Sequence, residues 1–236
     1  MGHSPACAPP LNLLAVETST ELCSAALLRE EELFVEQAQA PNRHAEQLDG
    51  MVRRLLARAA LSVRDMHAFA FGQGPGSFTG LRIACGFAQG LAFGAERPVV
   101  PVPSFLALAE RANASRVVVA LDARLGEAYL AAYSRMGGDW QAVIEPCLAL
   151  RGDLPSLPGR DWVATGSGFD HFDWLRAAYA ASVSHRIEND LPQAGPLARV
   201  AARRLARGEH VPADEAAPLY LRDKVALTTE ERRANS

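Results

Sequence analysis

Phe69-Ala70-Phe71-Gly72-Gln73-Gly74-Pro75-Gly76-Ser77-Phe78-Thr79-Gly80-Leu81-Arg82, carried on by Ile83-Ala84-Cys85-Gly86-Phe87-Ala88-Gln89-Gly90-Leu91-Ala92-Phe93-Gly94, is the stretch that decides the fold. Residues 67–71 predict a strand, a glycine-rich turn follows, and residues 78–94 predict a helix. Glycines 72, 74 and 76 leave backbone N–H groups free to converge, and a helix start adds the positive end of its dipole. That combination holds anions, phosphate above all. The residues of a catalytic nucleotide loop are missing from it. No Lys-Ser or Lys-Thr pair follows at P-loop spacing, and Gly74-Pro75-Gly76 does not fit the dinucleotide G-x-G-x-x-G pattern.

Upstream, residues 11–16 are a short apolar run of the kind that makes a central buried strand, ending in the polar turn Glu17-Thr18-Ser19-Thr20. Residues 22–28 and 33–37 predict two more strands, the first joined to the opening strand as a hairpin. Pro41-Asn42 stops the sheet, and Asn42 is placed to cap a helix that runs to about residue 60. Leu48, Met51, Val52, Leu55 and Ala59 recur along it at three and four, giving one broad apolar face. Downstream, residues 99–102 predict a strand and 103–111 the start of a helix.

The order then begins again. Residues 116–121 are an apolar strand closed by acidic Asp122, as residues 11–16 were closed by Glu17. Residues 127–133 and 141–148 supply the next two strands, and residues 162–164 lead into Thr165-Gly166-Ser167-Gly168-Phe169 and a helix to about residue 180. A Pro- and Gly-rich segment, residues 151–159, replaces the intervening helix, and a last helix spans residues 196–207. Two such copies predict an α/β protein of two similar lobes, each a mixed sheet flanked by helices. We expect a disordered leader over residues 1–10, lobes over 11–105 and 106–222 with the last helix returning to the first lobe, and a flexible tail over 223–236.

With 236 residues, about half of them apolar, and a net charge of −3, the chain has the composition of a soluble globular protein and lacks the basic footprint of a stand-alone nucleic-acid binder. Cys7, Cys23, Cys85 and Cys147 form no C-x-x-C pair, which suits a reducing cytoplasm better than a disulfide framework or zinc site. The apolar run 11–16 is too short for a signal h-region or a membrane span.

Three motifs narrow the fold to a family: Val16-Glu17-Thr18-Ser19-Thr20, His44 within residues 43–48, and Gly72-Gln73-Gly74-Pro75-Gly76-Ser77-Phe78-Thr79-Gly80-Leu81-Arg82. Together with the duplication they resemble the actin and hexokinase superfamily (ribonuclease-H-like lobes), and within it the TsaB (YeaZ) family, sometimes labelled glycoprotease-like. The resemblance implies a non-catalytic cytoplasmic subunit that pairs with TsaD and is joined by TsaE. That complex moves a threonylcarbamoyl group, supplied as an adenylate by TsaC, onto the adenosine beside the anticodon of tRNAs reading codons that begin with A. It implies no cofactor bound by this chain itself, ATP or ADP in the assembled complex, tRNA contacted through the complex, and a homodimer when TsaD is absent. The catalytic relative carries a His-x-x-x-His metal pair where this chain has Ser104 and Leu108, and a hydroxyl and an isobutyl group cannot replace two imidazoles.

Several positions carry two readings. The helix over residues 78–94 is apolar nearly all round, and three interior glycines suggest close approach by another backbone. It either lies between its own sheet and the helix over residues 43–60, or the two helices also form a partner face from Leu48, Met51, Val52, Leu55, Leu81, Arg82, Cys85 and Gln89, as the resemblance implies. Thr18, Ser19, Gly74, Gly76 and Ser77 either keep a vestigial phosphate loop or serve turn chemistry, with Ser77 a helix N-cap. Glu17 and Asp122 would sit near magnesium in a small-molecule kinase or ATPase, the alternative of a different class. A glycoprotease-like hydrolase with Ser77 as nucleophile is a third reading, although Gly76 directly before it departs from G-x-S-x-G. His44 reads as a surface or capping residue, Trp140, Trp162 and Trp174 as second-lobe core, and Arg199, Arg203, Arg204 and Arg207 as a solvated face or a tRNA contact.

Overall fold

The computed structural model describes residues 11–41 and 43–222. The expected leader, the expected tail and the Asn42 cap lie outside them; the first helix has Arg43 at its N-cap position, with no side-chain cap.

The first sheet holds β1 (Asn12–Glu17), β2 (Leu22–Arg29), β3 (Glu32–Gln39), β4 (Ala68–Gly74) and β5 (Val99–Pro103) in the order β3-β2-β1-β4-β5. Tight turns make β1, β2 and β3 antiparallel neighbours. The longer crossover through α1 (His44–Ala59) brings β4 back parallel to β1. β1 is buried along its whole length, as its unbroken apolar run requires. α1 and α2 (Phe78–Ala95) cover the outer face, where Leu48, Met51 and Leu55 of α1 pack with Leu14, Leu27, Phe69 and Phe71 of the sheet.

The second sheet repeats the plan with β6 (Arg116–Arg124), β7 (Glu127–Met136), β8 (Asp139–Ala149), β9 (Trp162–Thr165) and β10 (Val183–Ile187) in the order β10-β9-β6-β7-β8. The single helix expected to run to residue 180 is two, α4 (Ser167–His171) and α5 (Asp173–Tyr179), broken where Phe172 takes the extended angles φ −113° and ψ 106°. Trp162, Phe169 and Leu175 fill the core beneath them. β10 was not anticipated from the sequence.

α3 (Ser104–Arg111) and α6 (Ala194–Ala206) lie between the sheets. They share one middle core with Leu13, Ala15 and Val102 from the first sheet and Val117, Val119 and Leu121 from the second. α6 follows the second sheet in sequence yet packs on β1, β2, β4 and β5 of the first. An ion-pair knot ties this layer together. Both oxygens of Glu110 on α3 accept from Arg203 of α6 (3.0 and 2.7 Å), and Oε2 also accepts from the Trp140 indole of β8 (2.7 Å).

Candidate functional site

The turn after β1, the turn after β4 with the start of α2, and the β6–β7 hairpin with α4 surround a cleft of about 1160 Å³ between the lobes. The glycine-rich loop is on its wall, through Pro75, Gly76, Ser77 and Phe78. Most of its glycines, however, are needed for contact within the chain. A Cβ on Gly72 would stand 2.0 Å from Oε2 of Glu17, one on Gly80 2.0 Å from the carbonyl oxygen of Thr18, and one on Gly76 2.4 Å from that of Ser19. The loop is shaped to receive Glu17-Thr18-Ser19. The Ser77 N–H donates to the Ser19 carbonyl (2.7 Å) and the Thr18 hydroxyl to the Gly80 carbonyl (2.8 Å), while Ser77 Oγ caps α2 by accepting from the Gly80 N–H (3.4 Å). The second lobe repeats the device, for Gly166 would clash with the Ala120 carbonyl at 2.3 Å.

Glu17 is fully buried. Its oxygens accept from the Ser104 hydroxyl (2.7 Å) and the Ser19 N–H (2.7 Å). Burial raises its carboxyl above the usual range, and those hydrogen bonds only partly oppose the shift. Ser104, noted in the sequence as the occupant of a metal-ligand position, is thus the partner of an acid 87 residues away. Leu108 is core. Among the described residues no three His, Cys, Asp or Glu side chains gather as a metal site. Asp122 serves its own hairpin, its carboxylate accepting from the Arg124 N–H (2.7 Å) with His171 Nδ1 at 3.4 Å.

His44 corrects the surface reading. It is 6% exposed, its Nδ1 has no hydrogen-bond partner, and burial lowers its pKa, so the ring is neutral at pH 7. Of the four arginines on or just after α6, three are committed to ion pairs within the chain: Arg203 to Glu110, Arg204 and Arg207 to Glu209. Arg199 is exposed. Sequence reasoning missed Asp190, buried where it accepts from the Thr165 hydroxyl (2.7 Å) and pairs with Arg111 (2.8 Å). It sits in a polar segment with no periodic signal to mark it.

A protein-family model described as TsaD, tRNA N6-adenosine threonylcarbamoyltransferase, matches residues 35–229. The tRNA threonylcarbamoyladenosine biosynthesis protein TsaB of Escherichia coli K12 is 36% identical, across 92% of this chain and 96% of that protein. The chain belongs to the TsaB family. The protein of the same name from Haemophilus influenzae is 34% identical over 91% of the chain and 95% of its own length. YeaZ from Pseudomonas aeruginosa superposes with a TM-score of 0.81 at 37% identity, covering 89% of this chain and 100% of that one. These relatives confirm the actin-like, two-lobed architecture of a TsaB-family chain.

In this TsaB-family chain six of the eight residues of the expected partner face, Leu48, Met51, Val52, Leu55, Leu81 and Cys85, lie in the chain's own core, each 4% exposed or less. Gln89 and Cys85 instead hold the chain's own C-terminal segment. Gln89 Nε2 donates to the carbonyls of Ala213 (3.0 Å) and Ala216 (3.1 Å), and Cys85 Sγ lies 3.5 Å from the latter. Arg82 is exposed, stacks 3.7 Å over the Phe78 ring and donates to the Tyr220 hydroxyl (3.2 Å). The outward flank of α2 shares Arg82 with the expected face and adds Gly86, Gly90, Gly94 and Phe93, which is 78% exposed. No helix among the described residues is long and apolar enough to cross a membrane.

Proposed function

We propose that this chain is a non-catalytic subunit in tRNA threonylcarbamoyladenosine biosynthesis. It pairs with a TsaD-type transferase in the cytoplasm and helps form the surface where a TsaE-type ATPase docks, downstream of a TsaC-type enzyme that supplies the adenylate. The names of full-length relatives support the pathway. The observation that carries the non-catalytic reading is the fate of Glu17. The acid a kinase of this fold would aim at magnesium is fully buried, closed in by Ser104, Ser19 and the Cβ-free space at Gly72. Asp122, the second such acid, is spent on its own hairpin. Ser77, the nucleophile of a hydrolase reading, caps α2.

The partner surface in this reading is the outward flank of α2 rather than the buried faces. A Cβ at Gly86, Gly90 or Gly94 would meet no atom within 4 Å among the described residues. Three glycines at a spacing of four give a flat track on which another helix can lie close, with Phe93 as an aromatic anchor and Arg82 beside it. In the absence of TsaD the same track serves a second copy of the chain. tRNA and ATP or ADP then belong to the assembled complex.

Reconstitution tests the proposal. Threonylcarbamoyl transfer to tRNA, run with a TsaD-type transferase, a TsaE-type ATPase and the adenylate, should depend on adding this chain, and the chain alone should hydrolyse neither ATP nor peptide. Transfer that proceeds equally without it, or phosphotransfer by the isolated chain that Asp122→Ala abolishes, would refute it.

A further inference from the structure

The last described segment, residues 211–222, is fastened to the two lobes in turn. Val211 bridges the free edge of β5 through paired hydrogen bonds with Val99 (2.9 and 2.8 Å), and Gln89 holds the carbonyls of Ala213 and Ala216. The Leu219 N–H then donates to the Gln73 carbonyl (2.6 Å) at the end of β4. The Tyr220 ring lies 5.6 Å from that of Phe78, and its hydroxyl accepts from Arg82. All these anchors belong to the first lobe. Two residues later the chain has crossed over, and the Arg222 guanidinium pairs with Glu127 at the start of β7 in the second lobe.

We propose that Leu219–Arg222 is a clasp that sets how far the cleft between the lobes opens. All four residues line that cleft, so the link spans its mouth. On the second-lobe side it takes hold of a projecting element. Glu127 lies just beyond the β6–β7 turn, where Arg124 (φ 67°) and Leu125 (φ 57°) are both left-handed and Leu125 is 85% exposed. A hairpin tip so placed has little packing of its own, and a tether at its base governs its position. The Arg222–Glu127 pair is well shielded, with side chains 17% and 28% exposed, so it is screened less than a surface pair. The middle core around α3 and α6 joins the lobes as a hinge joins two leaves, and the clasp closes them.

Hydrogen exchange on the full chain tests this without any partner. In Arg222→Ala and in Tyr220→Ala, amides of residues 73–77 and 121–128 should exchange roughly tenfold faster, as expected for losing one charge-assisted or aromatic contact. Amides of α1 and β3 should keep parental rates, and Arg222→Lys should restore most of the protection. Parental exchange of residues 121–128 in both alanine variants overturns the proposal. So does a uniform acceleration that includes α1 and β3, which would make the segment a general brace for the fold and no clasp.

Discussion

Alanine at Gly86, Gly90 and Gly94 together separates what the chain needs for folding from what it keeps for contact. An interior helical glycine costs about 1 kcal/mol against alanine, through the backbone entropy it loses on folding. Nothing among the described residues requires any of the three, because a Cβ at each meets open space. Gly86 and Gly90 lie inside α2 and should each return about that amount, whereas Gly94 sits one residue before the helix ends at Ala95 and should return less. The triple variant should therefore be about 2 kcal/mol more stable, which for a chain of this length raises the melting temperature by about 4–8 °C. Circular dichroism melts and urea titrations measure that half. Affinity for the TsaD-type partner, measured on the same preparation, should fall at least about tenfold as three methyl groups hold the facing helix off, a loss of about 1.4 kcal/mol. Gly80→Ala is the internal control. It lies in the same helix, but its Cβ would stand 2.0 Å from the Thr18 carbonyl oxygen, so it should destabilise. A triple variant that melts no higher refutes the entropy argument. One that melts higher and binds as the parent does refutes the partner face.

Glu17→Gln keeps the shape of the protonated acid, with its amide able to donate to Ser104 and its oxygen to accept from the Ser19 N–H. Because burial raises the native pKa above the unfolded value near 4.5, ionisation opposes folding and parental stability declines as pH rises from that value through the native one. The variant should unfold at higher urea than the parent at pH 8, and the gap should close toward pH 4; a deficit at pH 8 would count against it. Glu110 works in the opposite direction. Burial alone would raise its carboxyl, but the Arg203 fork, the Trp140 indole and the nearby charges of Arg203 and Arg135 outweigh it and hold the pKa low. Its contribution is therefore present above pH 4.5 and lost as pH falls through the lowered value, so Glu110→Ala should cost about 2–3 kcal/mol in urea unfolding at pH 7 and progressively less as pH falls below 4.5. Leu55→Glu places a charge where the side chain is 0% exposed, and should abolish the cooperative melt itself rather than partner binding in a folded chain.

The strands were legible because their burial is written as unbroken apolar runs, and β1 and β6 are the clearest cases. β10 was not, since Val183-Ser184-His185-Arg186-Ile187 is an edge strand that exposes Ser184 and His185 and has no apolar alternation. In α1 the spacing of Leu48, Met51 and Leu55 correctly announced a covered face but could not say what covers it. An own sheet and a partner subunit demand the same apolar stripe. The glycines at 72, 74 and 76 pointed to an anion held on free N–H groups, yet what stands against Gly72 and Gly76 is the Glu17 carboxylate and the Ser19 carbonyl of the same chain. Contacts such as Gln89 to Ala216, separated by 127 residues, leave no local pattern to read.

The position of α6 bears on how this polypeptide is made. The first five strands have all left the ribosome long before the helix that roofs their inner face, and the interval is about ninety residues, or roughly 5–20 s of synthesis. Until then Leu13, Ala15, Ala26 and Leu28 face outward as a bare, oily sheet that only a chaperone or the nascent second half can shelter. Cutting the gene between the two sheets would therefore yield an amino-terminal product that precipitates by itself and dissolves when the carboxy-terminal product is co-expressed.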